Sequence, residues 1–327
     1  MREALYGPGG FYARGESPAA HFRTSVHASP SYAAAIVTLL RDLDAALGHP
    51  ARLDLVDLGA GRGELLTGVL GHAGPGLAGR IAAVAVEVAP RPPRLDRRIA
   101  WVPSAPRAIT GLVIASEWLD TVPLDVAEYA RAGPRLLLVD PATGAERPGP
   151  RPAAADLAWL ERWWPLRAHG ERAELGRPRD RAWAAVAGRL SRGVAVAMDY
   201  SHQRAARPPG GTLAGYRGGR AVRPVPDGSC DITAHVALDA CAAAGEAAGA
   251  GRPVLTSQRE ALTALGLRAT RPPPQLADTS PHQYLAALQQ ACAGAELTDR
   301  GGLGGFGWLV QAAGVPVPRL LAGLSGR

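Results

Sequence analysis

The chain has 327 residues, of which 47% are hydrophobic, and its formal net charge of +7 comes from an excess of arginine with no lysine. No stretch reaches the ~18 apolar residues of a membrane span, and the N-terminus lacks the apolar region of a signal peptide, so we expect a cytoplasmic protein with a large core. Cys230, Cys241 and Cys292 are scattered without a C-x-x-C pair, which argues against zinc and disulfides, and we expect no metal.

The N-terminal region, residues 3–32, is rich in glycine, proline, serine and aromatic side chains. The aromatic side chains need a surface to pack against, so this region is predicted to be an ordered loop. Ser29 and Pro30 then form a helix start, because serine caps the first N–H groups and proline suits the first helical position. The helix is predicted to run to about Leu47.

The stretch Leu53–Leu66, L-D-L-V-D-L-G-A-G-R-G-E-L-L, predicts a buried strand, a tight turn on Gly59, Ala60, Gly61 and Gly63, and a helix. Glycines let the backbone approach a ligand closely, and the helix N-terminus attracts negative charge. In a dinucleotide fingerprint the third glycine would fall at position 64, which is glutamate. The pattern D-x-G-x-G-x-G, beginning at Asp57, is instead typical of S-adenosylmethionine (SAM) methyltransferases, and SAM is the predicted cofactor.

The next predicted strand, Ile81–Val88, places Glu87 where a carboxylate can accept both ribose hydroxyls. Further strands are predicted at Ile99–Val102 and Gly111–Ala115. Strands that alternate with crossovers imply an α/β fold with a parallel sheet and helices on both faces. Ligands of such sheets lie beyond the carboxyl ends of the strands, where Gly59, Glu87 and Glu117 all fall.

The rest of the chain mixes regular and irregular segments. Residues 201–232 carry few large apolar side chains and are predicted to be an irregular cover, followed by a helix that opens at D-I-T-A-H-V, residues 231–236. The remaining predicted elements are a hairpin over Val126–Asp140, a helix around Leu157–Trp164, strands at Gly193–Asp199, Arg252–Thr256 and Gly304–Gln311, and helices at Gln258–Leu265 and Pro281–Cys292.

This order predicts one compact unit with three parts. Residues 1–50 form an N-terminal extension and first helix. Residues 51–125 and 190–327 form the SAM-binding Rossmann-like domain. Residues 126–189 form an inserted lobe.

Three residues are candidates for catalysis. Glu117 and Asp120 follow the fourth strand, and their carboxylates could grip a cationic guanidinium in bidentate fashion. Their alternative role is that of helix N-terminal acids favoured by the dipole. His235 is the candidate general base, since its pKa lies near neutrality. Asp231 and Thr233 could instead be plain helix caps.

Ten motifs in order resemble the MidA-like methyltransferases, which include the mitochondrial protein arginine methyltransferase that assists assembly of respiratory complex I. They are A-L-Y-G-P-G-G-F-Y, H-F-R-T-S, D-L-G-A-G-R-G-E-L-L, V-E-V-A-P, S-E-W-L-D-T-V-P, M-D-Y-S, G-T-L-A-G-Y, D-I-T-A-H-V, T-S-Q-R-E-A-L and L-G-G-F-G-W-L-V-Q. The resemblance implies a class I methyltransferase fold with an N-terminal extension and an inserted lobe, and transfer to an arginine of a partner protein.

The resemblance also implies roles for further residues. Thr24, Ser25 and Ser116 are expected at the cofactor, with Thr24 and Ser25 on the SAM carboxylate. Asp199, Tyr200 and Asp231 are expected at the acceptor, with the alternative that Asp199 only ends its strand.

The chain departs from the family pattern at three positions: His21 and His27 replace an Asp and a Glu of the N-terminal loop, and Ser116 replaces an Asn. Both histidines are predicted to be surface-loop residues, and whether they change the substrate class is left open. The lost acids favour the alternative of a small-molecule or peptide O- or N-methyltransferase.

The sequence leaves two other functions open. An RNA methyltransferase ranks third, because the Pro-Pro pairs lack the neighbours of amino-methylating enzymes and the basic runs lack interleaved aromatics. A non-catalytic assembly factor that keeps SAM for stability is the alternative outside enzymes. A protein, peptide or small-molecule acceptor is the expected partner, a nucleic acid is not, and a homodimer is left open.

Overall fold

The computed structural model describes residues 1–12 and 24–324. That part of the chain forms twelve α-helices: α1 (Arg2–Tyr6), α2 (Ser25–Ala28), α3 (Pro30–Ala46), α4 (Glu64–His72), α5 (Pro75–Ala78), α6 (Ala154–Trp163), α7 (Arg177–Ala187), α8 (Leu238–Ala247), α9 (Gln258–Ala264), α10 (Gln275–Thr279), α11 (Pro281–Leu297) and α12 (Arg319–Ala322). No helix in these residues is both long enough and apolar enough to span a membrane.

The same residues form sixteen strands: β1 (Leu53–Leu58), β2 (Ile81–Val86), β3 (Ile99–Val102), β4 (Ile109–Ser116), β5 (Val126–Ala130), β6 (Gly133–Val139), β7 (Glu146–Pro148), β8 (Arg172–Glu174), β9 (Leu190–Asp199), β10 (Ser201–His202), β11 (Ala214–Arg217), β12 (Arg220–Val222), β13 (Asp231–Thr233), β14 (Val236–Ala237), β15 (Val254–Ser257) and β16 (Gly307–Ala313).

The central sheet has seven strands in the order β15-β16-β9-β4-β1-β2-β3. Strand β1 pairs in parallel with β2 and β4, β2 with β3, and β4 with β9, whereas β15 and β16 are antiparallel. The chain moves outward from β1 to β3 and then returns to β4 on the other side of β1. This reversal creates the crevice at which open α/β sheets bind their ligands. The predicted α/β fold with a mostly parallel sheet is therefore confirmed.

Hydrophobic runs explain why these segments become central strands. Leu55, Leu112 and Val194 lie side by side in register on β1, β4 and β9, and each is fully buried. Strands of a parallel sheet that are buried on both faces read as continuous apolar runs, which is the pattern of this sequence.

Helix α3 begins as its sequence predicts. The Ser29 hydroxyl accepts a hydrogen bond from the Ser31 N–H at 3.0 Å, and Pro30 occupies the first turn. The helix buries Ile36 and Leu40 in the same apolar core as the sheet, which helps to hold the strands in place.

The described residues divide into two compact units. The sheet unit comprises residues 24–116, 189–198 and 251–324 and contains the seven-stranded sheet. The lobe unit comprises residues 1–12, 117–188 and 199–250. The predicted division into an extension, a SAM-binding domain and an inserted lobe stays a prediction.

The lobe unit is built on two small antiparallel sheets, β7-β6-β5-β8 and β12-β11-β13. Its core holds Trp159, Leu160 and Trp164 against Ala173 and Leu175. The indole N–H of Trp159 donates to Asp180 Oδ2 at 2.6 Å, so the tryptophan is buried without losing its hydrogen bond.

Two predictions about this unit are wrong. Residues 201–232 are not irregular throughout, because β11 and β12 form a hairpin and β11 also pairs with β13. The motif D-I-T-A-H-V opens no helix: residues 231–233 are β13, residues 236–237 belong to β14, and α8 begins at Leu238. Backbone pairing with distant residues satisfies the N–H and C=O groups that a helix would have satisfied locally.

Candidate functional site

The glycine turn after β1 has a backbone that only glycine adopts easily. Gly59, Gly61 and Gly63 have φ angles of 66°, 57° and 84°. The Gly59 N–H donates to the carbonyl of Val86 at 2.9 Å, so the turn is tied to the end of the neighbouring strand. A side chain at Gly61 would meet only Glu64 Oε2, at 3.5 Å. The space in front of this turn is therefore open to a ligand.

Glu87, which directly follows β2, is hydrogen-bonded to the glycine turn. Its Oε2 accepts the Gly61 N–H at 3.1 Å, and its Oε1 accepts the N–H groups of Val88 at 2.6 Å and Ala89 at 3.0 Å. These bonds hold the carboxylate beside the glycine turn at the end of β2. An acid in this place suits the hydroxyls of a ribose, so Glu87 and the turn together fit SAM.

Asp57 lies behind the turn, next to the last residue of β1, and is only 4% exposed. Burial, together with the smaller effects of the Glu64 and Glu87 charges, raises its pKa to about 8. Asp57 therefore carries a proton at neutral pH in the free protein. A buried neutral carboxyl can donate a hydrogen bond, which an ionised one cannot.

The segment that begins at Thr24 packs within the sheet unit. The Ser25 hydroxyl is fully buried and donates to Gln258 Oε1 at 3.1 Å, while Thr24 Oγ1 lies 2.6 Å from His27 Nδ1. His27 Nε2 lies 3.3 Å from Glu64 Oε1, at the start of α4. His27 is exposed, as predicted, but it lies in the short helix α2 and not in a loop, and it contacts Glu64 of α4. His21 lies outside the described residues.

Ser116 is the last residue of β4 and is half-buried, in register with Met198 of β9. Its assignment to the cofactor stays a prediction, as do those of Thr24 and Ser25. Among the residues that the structure describes, no group of three or more His, Cys, Asp or Glu side chains could hold a metal ion.

Glu117 directly follows β4 in the chain and has a φ of 52°, in the left-handed region. A non-glycine residue in this region carries about 1–3 kcal/mol of backbone strain, and such strain persists only where the surroundings enforce it. Asp199 supplies part of that enforcement: its Oδ2 accepts the N–H groups of Leu119 at 3.0 Å and Asp120 at 3.2 Å. The turn that presents Glu117 is thus wound around the Asp199 carboxyl.

Asp120 and Asp199 are both buried, with relative exposures of 6% and 0%. The Oδ2 of Asp120 accepts the Thr233 hydroxyl at 2.7 Å, whereas Oδ1 of both aspartates has no hydrogen-bond partner in the described part of the chain. Burial raises the pKa of both carboxyls, and the nearby Arg179 charge acts in the opposite direction. Asp199 holds the turn after Glu117 through the N–H groups of Leu119 and Asp120, and Asp120 ties the same turn to Thr233.

Arg179 of α7 is 1% exposed, and its guanidinium donates to backbone carbonyls of two segments. Nη1 donates to Ala234 at 2.7 Å and to His235 at 2.9 Å. Nε donates to Val122 at 3.3 Å, and Nη2 donates to the Asp120 carbonyl. The side chain therefore joins the turn after β4 to the segment that carries His235.

Tyr200 and His235 form a stacked pair, with ring centroids 5.5 Å apart and an interplanar angle of 18°. His235 is exposed and Tyr200 is 37% exposed. Desolvation lowers the pKa of His235, and Arg179 acts in the same direction while Glu174 opposes it. This lowered pKa favours the neutral imidazole. Burial and then the Glu117 charge raise the pKa of Tyr200 above 10, so its phenol stays neutral.

Asp231 is 2% exposed and is held by the N-terminal segment, because the Tyr12 hydroxyl donates to its Oδ1 at 3.0 Å. Burial raises the pKa of Tyr12 well above its usual value, and the Asp231 charge adds to this effect. Tyr12 also stacks on Tyr6 at 5.4 Å. A contact of Asp231 with the acceptor stays a prediction.

The structure brings Glu117, Asp120, Asp199, Tyr200 and His235 together within the lobe unit. The sequence reasoning missed Arg179, which donates to the carbonyls of Asp120 and His235, and Glu174, which accepts from Thr212, the partner of the His235 N–H. Neither has a recognisable signature: Arg179 stands in the arginine-rich run R-P-R-D-R, and Glu174 ends a three-residue strand.

The family model described as "putative S-adenosyl-L-methionine-dependent methyltransferase" matches residues 33–255, more than half of the chain. No curated protein matches.

Among solved structures, a member of the COG1565 superfamily from Burkholderia thailandensis, bound to S-adenosyl-homocysteine, is 24% identical. The match covers 97% of this chain and 87% of that chain, with a TM-score of 0.79. An uncharacterized protein of the same superfamily and organism is 25% identical, with 98% and 88% covered and a TM-score of 0.80.

Proposed function

Because the chain belongs to the family of putative S-adenosyl-L-methionine-dependent methyltransferases, we propose that it methylates an arginine side chain of a protein or peptide partner. The chain is an enzyme of the methyltransferase class, and SAM is its methyl donor. The family description names no acceptor, so the choice of arginine is our own proposal. It is supported by the resemblance to MidA-like methyltransferases, and that relationship, with its link to complex I assembly, is part of the proposal.

The observation that carries the proposal is the strained backbone of Glu117. Glu117 is half-buried and directly follows β4. In such sheets, functional groups lie beyond the carboxyl ends of the strands. A strained residue at the start of a turn that a buried aspartate holds points to a side chain whose direction matters. A guanidinium is cationic at all physiological pH values, and a carboxylate is its natural bidentate partner.

The stacked pair of Tyr200 and His235 supplies a second feature that suits a guanidinium. Planar guanidinium groups stack on aromatic faces as well as pairing with carboxylates. The charge of Glu117 acts on Tyr200, so the carboxylate and the aromatic pair belong to one environment. An arginine side chain could use both.

When bound, SAM supplies an electrophilic methyl group on a positively charged sulfonium. Gly59, Ala60, Gly61 and Gly63 would hold its amino-acid end, and Glu87 would hold its ribose. Glu117 would pair with the guanidinium and offset its charge, because two cations repel each other. The neutral imidazole of His235 would accept the proton that the attacking nitrogen loses as its new bond to carbon forms. Asp120 and Asp199 would keep the Glu117 turn in place.

A second candidate is a neutral acceptor, such as a hydroxyl of a small molecule or peptide. It is favoured by one observation: burial raises the pKa values of Asp120 and Asp199 in this network, and Arg179 adds a buried positive charge. The cluster therefore carries less negative charge than its count of acids suggests. A neutral histidine is also a suitable base for a hydroxyl.

Mass spectrometry with methyl-labelled SAM separates the two candidates. Arginine peptides should gain the label, and matched peptides with citrulline, which is neutral and similar in shape, should not. Glu117→Gln should cut turnover by about 10²-fold, because it removes the charge and keeps the size. Glu128→Gln, which breaks an ion pair with Arg172 elsewhere in the lobe unit, is the matched control. Near-normal turnover of Glu117→Gln on its true acceptor would exclude arginine and leave the methyltransferase class intact.

A further inference from the structure

The main chain around His235 is held at both ends. Its N–H donates to the Thr212 hydroxyl at 2.9 Å, and its carbonyl accepts from Arg179 Nη1 at 2.9 Å. The residue itself is exposed, and exposed loop residues ordinarily make such bonds to water. Two protein partners at one exposed residue therefore indicate that its position is controlled.

Glu174 controls the Thr212 end. This carboxylate, 2% exposed, accepts the Thr212 N–H at 2.7 Å and the Leu213 N–H at 3.1 Å through Oε1, and the Thr212 hydroxyl at 3.1 Å through Oε2. Because the hydroxyl donates its proton to Glu174, its lone pairs face the His235 N–H. Space is also tight here, since a Cβ added to Gly211 would lie 2.6 Å from Glu174 Oε1.

Arg179 controls the other end and the turn that carries Glu117. Its four hydrogen bonds go to main-chain carbonyls of Asp120, Val122, Ala234 and His235. The Thr233 hydroxyl, bonded to Asp120 Oδ2, is a second link between the same two segments. Any movement of His235 away from the Asp120 turn would break several of these bonds at once.

We propose that Glu174, through Thr212, and Arg179 are positioning residues that set the place of His235 against Tyr200 and the Glu117 turn for proton removal during methyl transfer. The inference rests on the proposed role of His235. It assigns to Glu174, Thr212 and Arg179 a role that acts through the main chain of His235. The groups facing His235 are the Tyr200 and His202 rings and the charges of Glu174 and Arg179.

The test uses Thr212→Val and Thr212→Ser in the full chain. Valine has nearly the shape of threonine but no hydroxyl, whereas serine keeps the hydroxyl. In Thr212→Val, amide hydrogen exchange at residues 231–237 should accelerate about 10-fold or more, because a hydrogen bond that is supported by a charged group is lost. The imidazole NMR signal of His235, assigned with His235→Gln, should also lose the shift caused by stacking on Tyr200.

Turnover on arginine peptides should fall in Thr212→Val and recover in Thr212→Ser. SAM affinity should not change, and it serves as the check that each variant is folded. Unchanged exchange and an unchanged His235 signal in Thr212→Val would overturn the inference. Faster exchange with normal turnover would overturn it equally, since His235 would then need no positioning. The exchange and NMR measurements need no acceptor, so they judge the inference even if arginine peptides prove to be no substrate.

Discussion

Replacing the buried carboxyl of Asp57 with an amide, in Asp57→Asn, should change how the stability of the protein depends on pH. The reference pKa of an aspartate is 3.8, and in the folded protein burial raises the pKa of Asp57 to about 8. Between these two values the folded state holds a proton at Asp57 that the unfolded state has released. Stability therefore falls as pH rises through this window, and the loss is complete only above the folded pKa.

The size of the effect follows from the proton count. One additional bound proton lowers the free energy of unfolding by about 1.4 kcal/mol for each pH unit. From pH 5 to pH 7, both inside the window, the wild-type protein should lose about 3 kcal/mol from this group alone. Asp57→Asn has no proton to lose, so its stability relative to the wild type should increase by that amount over the same range.

Urea unfolding at pH 5, 6 and 7, without SAM, measures the difference. Trp101 and Trp308 of the sheet unit give a fluorescence signal. Other titrating groups, including Asp180 with a raised pKa of about 6, are present in both proteins and cancel in the comparison. Asp54→Asn removes a carboxyl from a half-buried position of the same strand and is the matched control. If wild type and Asp57→Asn show parallel pH dependence, the buried protonated carboxyl is refuted.

Two further substitutions test the backbone. Glu117→Gly should raise the free energy of unfolding by about 1 kcal/mol, because glycine relieves the strain at a φ of 52°. The same change should reduce turnover, because it removes the carboxylate. A variant that is less stable in urea unfolding would contradict the strain argument. Gly193→Ala should cost more than about 3 kcal/mol or prevent folding, because its Cβ would lie 2.0 Å from the Gly111 carbonyl oxygen. Gly76→Ala, which meets nothing within 4 Å, is its control, and equal thermal stability of the two variants would refute the steric reasoning.

The strands of the central sheet were predictable because their signal is local. The run Ile99–Val102 is β3 with the same bounds, and Gly111–Ala115 lies inside β4. β4 lies inside the sheet and is buried over most of its length, so it must be apolar in nearly every position, whereas β3 at the sheet edge buries only Ile99 fully but is still an apolar run. The glycine spacing of the turn after β1 is visible for a similar reason, since each positive φ selects a residue type.

The segment 201–232 was not predictable in this way. Its strands β11 and β12 contain glycine, arginine and alanine, which have little preference for strands, and β11 gains its pairing from β13, some fifteen residues further along. Strand formation here depends on a partner in the folded chain. The same dependence explains why D-I-T-A-H-V forms β13 and part of β14 instead of a helix.

Local patterns of residue types were enough to predict the α/β fold, the glycine turn between Asp57 and α4, and the acids that follow β2 and β4. Only the tertiary structure decided what those acids can do. It buried Asp120 and Asp199, strained the backbone of Glu117, and brought Arg179 and Thr212, which is bonded to Glu174, to the main chain of His235. A side chain that bonds to a distant backbone N–H or C=O group places no demand on the type of residue that carries this group. They therefore leave no trace in the sequence.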